Sequence, residues 1–252
     1  MKSSTKISAI IPTLNEELHI KDAIESVSFA DEILVIDSFS SDKTVEIAKS
    51  LNAKVIQRGF DDFSSQKNYA LSKATYDWIY ILDADERVTS ELKQEILGKV
   101  ENPNGFVGFY VYRNFYFLGK RLKYGGWQRD KVIRLFKKDT CKYDGKLVHE
   151  KIVADGKVGY FTNKLEHYSY RNYDHYIAKI NQYAQLKAKN LYISGKRVTI
   201  FHLLVKPPVR FCIHYFLRLG FLDGFQGFIM ASIQAYGVLA RYINYWILKN
   251  KK

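Results

Sequence analysis

Four short strand-like runs, Ile7–Ile11, Glu32–Asp37, Lys54–Gln57 and Trp78–Leu82, punctuate the first hundred residues, with helix-like segments between them. Runs this apolar and this unbroken are not half-exposed strands; they need cover on both faces. Strands of that kind alternating with helices predict an α/β fold, a mostly parallel Rossmann-like sheet with flanking helices. Asn15 is placed to cap the first helix, with Glu16 and Glu17 in its opening turn and Leu18, Ala23, Ile24 and Val27 as its apolar face. Ser41 is placed to cap a second helix through Leu51, and further helices are expected over Gln66–Ala74 and Ser90–Val100.

The pattern changes after Gly105. Phe106–Phe117 alternates and reads as a strand, as do Val132–Phe136 and Lys151–Val153. From Asn172 the chain turns helical, with Gly195 a plausible C-cap, followed by Phe201–Leu219 (broken at Pro207-Pro208) and Gly224–Leu248. The expected division is a catalytic domain over 1–196 and a basic amphipathic helical region over 197–252.

In open α/β sheets, ligands bind beyond the carboxyl ends of the strands. Trp78–Leu82 runs directly into Asp83-Ala84-Asp85-Glu86. Two carboxylates one residue apart at such an end can hold Mg²⁺ or Mn²⁺, hard cations that take oxygen ligands and keep positions for substrate phosphates. Acidic turns before helices are common, so it is the strand in front that gives the motif weight. Asp37 also ends a strand, in DSFSSDKT, and can receive hydrogen bonds from a base or ribose. Lys67, in Gln66-Lys67-Asn68, can meet a phosphate as a point charge, or can be an ordinary exposed helix lysine.

Charge is distributed unevenly. Residues 1–105 carry 12 Lys/Arg and 18 Asp/Glu, a balance of −6; residues 106–252 carry 27 and 8, a balance of +19, giving the whole-chain +13. An acidic half with strand-end carboxylates and a basic half suggest a catalytic part and a surface for an anionic partner. An RNA- or polyanion-binding protein would use the basic half, but no nucleic-acid motif is present and such a protein has no use for LDADE. A sugar nucleotidyltransferase would want a glycine-rich phosphate loop after the first strand, where PTLNEE has no glycine. Cys141 and Cys212 have no metal-type spacing and read as reduced thiols. The N-terminal apolar run, about six residues, is shorter than a signal-peptide core. Gly224–Ala240 is uncharged but carries three glycines and two glutamines. A spanning helix wants about 20 predominantly apolar residues, so this stretch is expected to be interfacial or packed.

IIPTLNEE, VIDSFSSDKT, QKNYAL and WIYILDADE, in this order and spacing, resemble the family-2 glycosyltransferases with a GT-A fold. YGGWQRDKVIRLF, LVHEKI and LEHYSY are similar to the lipopolysaccharide-core glucosyltransferase branch of that family, so the resemblance covers nearly the whole chain. It implies an inverting, metal-dependent transfer of a hexose, glucose, from a nucleotide-diphosphate sugar (a UDP-sugar) to a lipid-linked or cell-envelope glycan. Pro12, Thr13, Asn15 and Glu16 would line the nucleotide pocket with Asp37, and Asp83 and Asp85 would serve the metal and diphosphate. Arg134 would stabilise the leaving diphosphate. Asp130 matches the general base, with Arg129 where relatives often carry Pro, and Glu150 is the rival. Trp127 offers a ring that could stack on a sugar. His149 and His167 are candidates for metal or diphosphate contact. Basic residues flanking Trp, Tyr, Phe and Leu after residue 171 suit an anionic membrane surface. The expected location is cytoplasmic, peripheral on the inner face of the cell membrane, with no nucleic-acid partner.

Overall fold

The computed structural model describes residues 5–144, 152–168 and 173–250. In chain order the elements are β1 (Ile7–Thr13), α1 (Ile20–Ser26), β2 (Glu32–Asp37), α2 (Thr44–Ser50), β3 (Lys54–Gln57), α3 (Phe63–Lys73), β4 (Trp78–Ile81), β5 (Glu86–Arg87) and α4 (Ser90–Glu101). There follow β6 (Phe106–Phe117), β7 (Lys120–Leu122), β8 (Lys131–Lys137), β9 (Cys141–Tyr143), β10 (Ile152–Ala154), β11 (Lys157–Tyr160) and β12 (Leu165–His167). The remainder is helical: α5 (Tyr173–Ile193), α6 (Ile200–Leu204), α7 (Lys206–Cys212), a π-helical turn Ile213–Leu217 and α8 (Phe225–Asn250).

Two compact units emerge, Met1–Arg113 with Asp130–His167, and Asn114–Arg129 with Tyr168–Lys252. They do not coincide with a cut at 196/197. α5 belongs to the second unit because it packs along α8, and 114–129 belongs there too. Gly195 does end a helix, at φ +64, but that helix is inside the second unit.

The first unit is built on a mixed sheet in the order β3-β2-β1-β4-β8-β6-β12-β5. β3, β2, β1 and β4 run parallel to one another, whereas β8 runs antiparallel to both β4 and β6. Period-two alternation explains the unbroken apolar runs. Ile7, Ala9 and Ile11 enter one core with Ile20, Ile24, Leu92 and Ile96 from α1 and α4. Ile10, with Leu34, Ile36, Ile79 and Ile81, enters the opposite core against Ala70 and Leu71 of α3. Full burial of each such aliphatic side chain contributes about 1.5–3 kcal/mol, so this block specifies the unit. The chain winds from β1 out to β3 and then crosses to β4 on the other side of β1, leaving a switch point at the carboxyl ends of β1 and β4.

Two expected caps are replaced by something else. α1 starts at Ile20 and α2 at Thr44, and neither has a side-chain cap bond. Asn15 sits at φ +55 and its Oδ1 accepts from the backbone N–H of Ser41 at 2.8 Å. Its own N–H donates to Ser40 Oγ (2.8 Å), Glu16 N–H to Thr44 Oγ1 (2.8 Å) and Glu17 N–H to Asp42 Oδ2 (3.1 Å). The loops after β1 and β2 are therefore laced to each other.

In the second unit, Phe117, Leu122, Tyr176, Met230 and Ile233 form a core of their own. The segment 123–127 is stapled from behind: the Asp223 carboxylate accepts from Lys123 N–H (3.0 Å) and Tyr124 N–H (2.9 Å), and Arg218 C=O accepts from Gly125 N–H (2.8 Å). Trp127 stacks on Phe115, centroids 4.8 Å apart, so one ring face is already covered. Gly227 approaches the Gly220 carbonyl so closely that a Cβ would collide with it. Among the described residues no helix is long and apolar enough to cross a membrane.

His214 is buried and contacts the Gly125 carbonyl through Nδ1 at 2.8 Å; since a carbonyl only accepts, Nδ1 carries the proton. Burial pushes its pKa down to about 4, against that hydrogen bond, with Arg210 and Arg218 adding to the drop. The unfolded value is near 6.5. Between the two values the unfolded chain binds the extra proton, so stability falls as pH drops through this window. Relative to a His214→Gln variant, wild type should lose about 2 kcal/mol more between pH 7 and about pH 4.5. Urea unfolding at the two pH values measures this, and equal losses would remove the assignment.

Candidate active site

The strand ends bring most of the expected residues together within the first unit. Asp37 is fully buried and carries four hydrogen bonds: from Thr13 Oγ1 (3.3 Å), Ser40 N–H (3.0 Å), Ser40 Oγ (2.5 Å) and Gln57 Nε2 (3.1 Å). Its position opposite Thr13 follows from the β1–β2 register. The carboxylate fixes the turn 38–40 beside Thr13.

Each residue of Gln66-Lys67-Asn68 has a different task. Gln66 Nε2 donates to Ser38 Oγ at 2.8 Å, and Asn68 exchanges hydrogen bonds with the backbone of Tyr143. Lys67 is buried rather than an exposed helix lysine, and its Nζ lies 3.7 Å from Asp83 Oδ1. That packing follows from α3 laying this face on β9 and on the sheet.

Asp83 and Asp85, expected to share a cation, differ in their neighbours. Asp83 is paired with Arg134 and Lys67. Burial raises its pKa, but the charges of Arg134, Lys67 and Arg113 outweigh this and hold the carboxyl well below the usual carboxylate range. Asp85 Oδ2 lies 3.5 Å from His167 Nε2. β5 and β12 pair side by side, Glu86 opposite His167, which places that imidazole beside the LDADE turn.

Arg134 is buried on β8, and its Nη2 donates to both Asp83 and, at 2.6 Å, Glu86 Oε1. Glu86 is fully buried; it also accepts from Asp83 N–H (3.1 Å) and from Arg113 Nη1 (3.1 Å). Arg113, at the end of the first unit's part of β6, continues the chain of charges. Its Nε and Nη2 lie 2.9 and 2.5 Å from Asp130 Oδ2. Asp130 therefore pairs with Arg113, not with Arg129, Lys131 or Arg134, and its side chain is 46% exposed. Sequence reasoning missed Glu86 and Arg113. Glu86 stands inside the motif it did find, while Arg113 looks like one more outward position of an alternating strand. His149 and Glu150 lie outside the described residues.

Cis ligands of a metal bound at about 2.1 Å lie about 3 Å apart. The 3.5 Å between Asp85 and His167 is thus compatible with one small divalent ion, held by one carboxylate and one imidazole. No group of three or more His, Cys, Asp or Glu side chains is so placed among the described residues. Remaining positions would fall to water and substrate phosphate, the usual arrangement for Mg²⁺.

A family model, Glycosyl transferase family 2, matches residues 8–156. The chain belongs to that family. The mixed α/β sheet with its C-terminal helices is the GT-A arrangement. The chain is 32% identical over 248 residues to an uncharacterized glycosyltransferase of Rickettsia typhi, covering 94% of this chain and 85% of that protein. It is also 32% identical over 241 residues to the lipopolysaccharide core biosynthesis glycosyltransferase LpsC of Rhizobium meliloti, covering 91% and 87%. Among solved structures it is similar to glucosyl-3-phosphoglycerate synthase from Mycobacterium tuberculosis in complex with Mn²⁺, UDP-glucose and phosphoglyceric acid. There the identity is 24%, the TM-score 0.40, and the match covers 44% of this chain and 45% of that one.

Proposed function

We propose that this family-2 glycosyltransferase transfers a hexose, with inversion, from a nucleotide-diphosphate sugar to a lipopolysaccharide-core or other cell-envelope glycan. The observation that carries the reading is that one turn holds Asp85 beside His167 and also Asp83, which is joined through Arg134, Glu86 and Arg113 to Asp130, all in one unit. The similarity to LpsC along most of both chains supports the envelope acceptor, and glucose from UDP is the donor implied by the sequence resemblance.

In this reading Asp85 and His167 would hold Mg²⁺ or Mn²⁺, and the ion would supply positive charge to offset that of the departing diphosphate. Asp83 is committed to Arg134 and Lys67, and keeps the turn and the lysine in place beside the diphosphate. Thr13, Asn15, Glu16 and Pro12 form the nucleotide rim, braced by Asp37. Asp130 takes the proton of the acceptor hydroxyl as its oxygen attacks the anomeric carbon from the face opposite the diphosphate. Arg113 holds Oδ2, which leaves Oδ1 for that proton.

The chain works at the inner face of the cell membrane, held by its second unit. Residues 171–252 carry 13 Lys/Arg against two Asp/Glu. Phe216, Leu217, Leu219, Phe221, Leu222, Phe225 and Phe228, within one short stretch of chain, are all exposed, more large apolar side chains than soluble surfaces usually leave bare so close together.

A donor screen measuring released nucleoside diphosphate tests the reading. Release is expected with a UDP-hexose and Mn²⁺, and it should stop in excess EDTA and in Asp85→Ala. Full wild-type activity in EDTA would sink the cation's role, and no release with any donor would sink the transfer.

A further inference from the structure

The second unit contains a cluster of cations that its own acids do not neutralise. Lys187 of α5 and Arg241 of α8 line a cavity of about 210 Å³, together with Asn190, Leu191, Ser194 and Lys196. Arg210 of α7 lies close enough to influence both: burial first, then the charges of Arg218 and Arg241, lower its pKa. Partial burial, then the charges of Arg241 and Arg210, lower that of Lys187, whose side chain is otherwise exposed. Nε of Arg210 and Nε of Arg241 are buried with no hydrogen-bond partner among the described residues. Buried guanidinium donors without an acceptor are costly.

Only two acids exist after residue 170, and neither can serve. Asp223 is taken by the N–H groups of Lys123 and Tyr124. Asp174 is thirteen residues before Lys187 on the same helix, about 20 Å along its axis at 1.5 Å per residue. Nor are these cations caps for the end of α5. The last carbonyls there receive local donors: Asn190 C=O from Ser194 N–H (3.0 Å), Leu191 C=O from Lys196 N–H (3.2 Å) and Tyr192 C=O from Gly195 N–H (3.1 Å). Two like charges on two helices facing one cavity, with a third, Arg210, beside them and no counter-charge among the described residues, mark a place for an anion from outside.

We infer that Lys187 and Arg241, with Arg210 beside them and Asn190, Ser194 and Lys196 on the rim, form a binding site for a phosphate group. The guanidinium of Arg241 suits two phosphate oxygens in a forked contact, and Lys187 supplies a point charge. The Asn190 amide adds a neutral donor, while the Ser194 hydroxyl donates to Leu191 C=O (3.2 Å). The phosphate can be that of an anionic phospholipid headgroup or a free phosphate, and the chemistry of the cavity is common to both. The site stands whether or not the first unit transfers sugar.

The full-length protein tests it in two arms. One titrates inorganic phosphate by calorimetry; the other measures co-sedimentation with phosphatidylglycerol vesicles, with phosphatidylcholine vesicles as the blank. The variant is Lys187→Gln with Arg241→Gln, and a charge-matched control is Lys189→Gln with Lys249→Gln. With inorganic phosphate the cavity variant is expected to bind about tenfold more weakly or worse and the control to stay within about threefold of wild type; on vesicles, where every basic residue near the surface contributes, the cavity variant is expected to fall at least about threefold below the control. Loss in both arms assigns the site to the headgroup; loss in the phosphate arm alone assigns it to free phosphate. If the double variant does not fold, single Lys187→Gln, an exposed side chain, carries the same comparison. Cavity variants that match the control in both arms overturn the site, as does wild type that binds neither probe. A defect in sugar transfer with both arms intact would count against the proposed reaction and leave the site standing.

Discussion

Asp130→Asn is expected to lower kcat by about 10²–10⁴-fold, the usual contribution of general acid–base catalysis, with little change in donor KM. The amide keeps the shape of the carboxylate but cannot take a proton, and Asp130 does not hold the donor. Two N–H groups of Arg113 fix Oδ2, while the half-exposed side chain leaves Oδ1 open to an incoming hydroxyl. Arg113→Ala should show a smaller fall in kcat with KM again nearly unchanged, because the base survives but is no longer aimed. Steady-state kinetics on both variants checks this. Near-normal kcat in Asp130→Asn, with a dead Glu150→Gln, would move the base to Glu150.

The second large effect is on stability. Arg134→Ala is expected to destabilise the chain by about 3–5 kcal/mol, the cost of leaving buried carboxylates without their partner. Among the described residues, fully buried Glu86 would keep Arg113 as its one cationic partner and Asp83 would keep Lys67. Typical folding stabilities are about 5–15 kcal/mol, so such a loss is a large share of the whole. Because Asp83's folded pKa lies below its unfolded value of about 3.9, its contribution is fully present above that pH and is lost only as pH falls through the lower folded value. Urea denaturation of wild type and variant above pH 5 measures the difference. A change under about 1 kcal/mol would mean that Arg134 is spent on the substrate rather than on the fold.

The strands and the LDADE turn were legible because burial on both faces leaves an unambiguous apolar run, and the end of such a run is where these folds bind ligands. Asn15 and Ser41 look like caps in the sequence because a short polar side chain before a helix has the same local signature whether it caps or braces. Here Asn15 reaches 26 residues along the chain to Ser41, which no local window records. Arg113 was hidden for a related reason. In FYVYRNFYF an arginine at an alternate position looks like a solvated strand face, and only the pairing of β6 with β8 places it between Glu86 and Asp130. The compact units do not follow the cut at 196/197 because the break in helical pattern at Gly195 is local, whereas the packing of α5 along α8 joins residues some 50 apart.

Mn²⁺ binding in the presence of UDP, followed by electron paramagnetic resonance, tests the candidate site without knowledge of the acceptor. The site at Asp85 and His167 requires that wild type bind the ion in a UDP-dependent way, and that Asp85→Asn and His167→Gln each weaken binding by at least about tenfold, the lower end of what loss of a metal-site residue costs. Binding that is unchanged in both variants would contradict it.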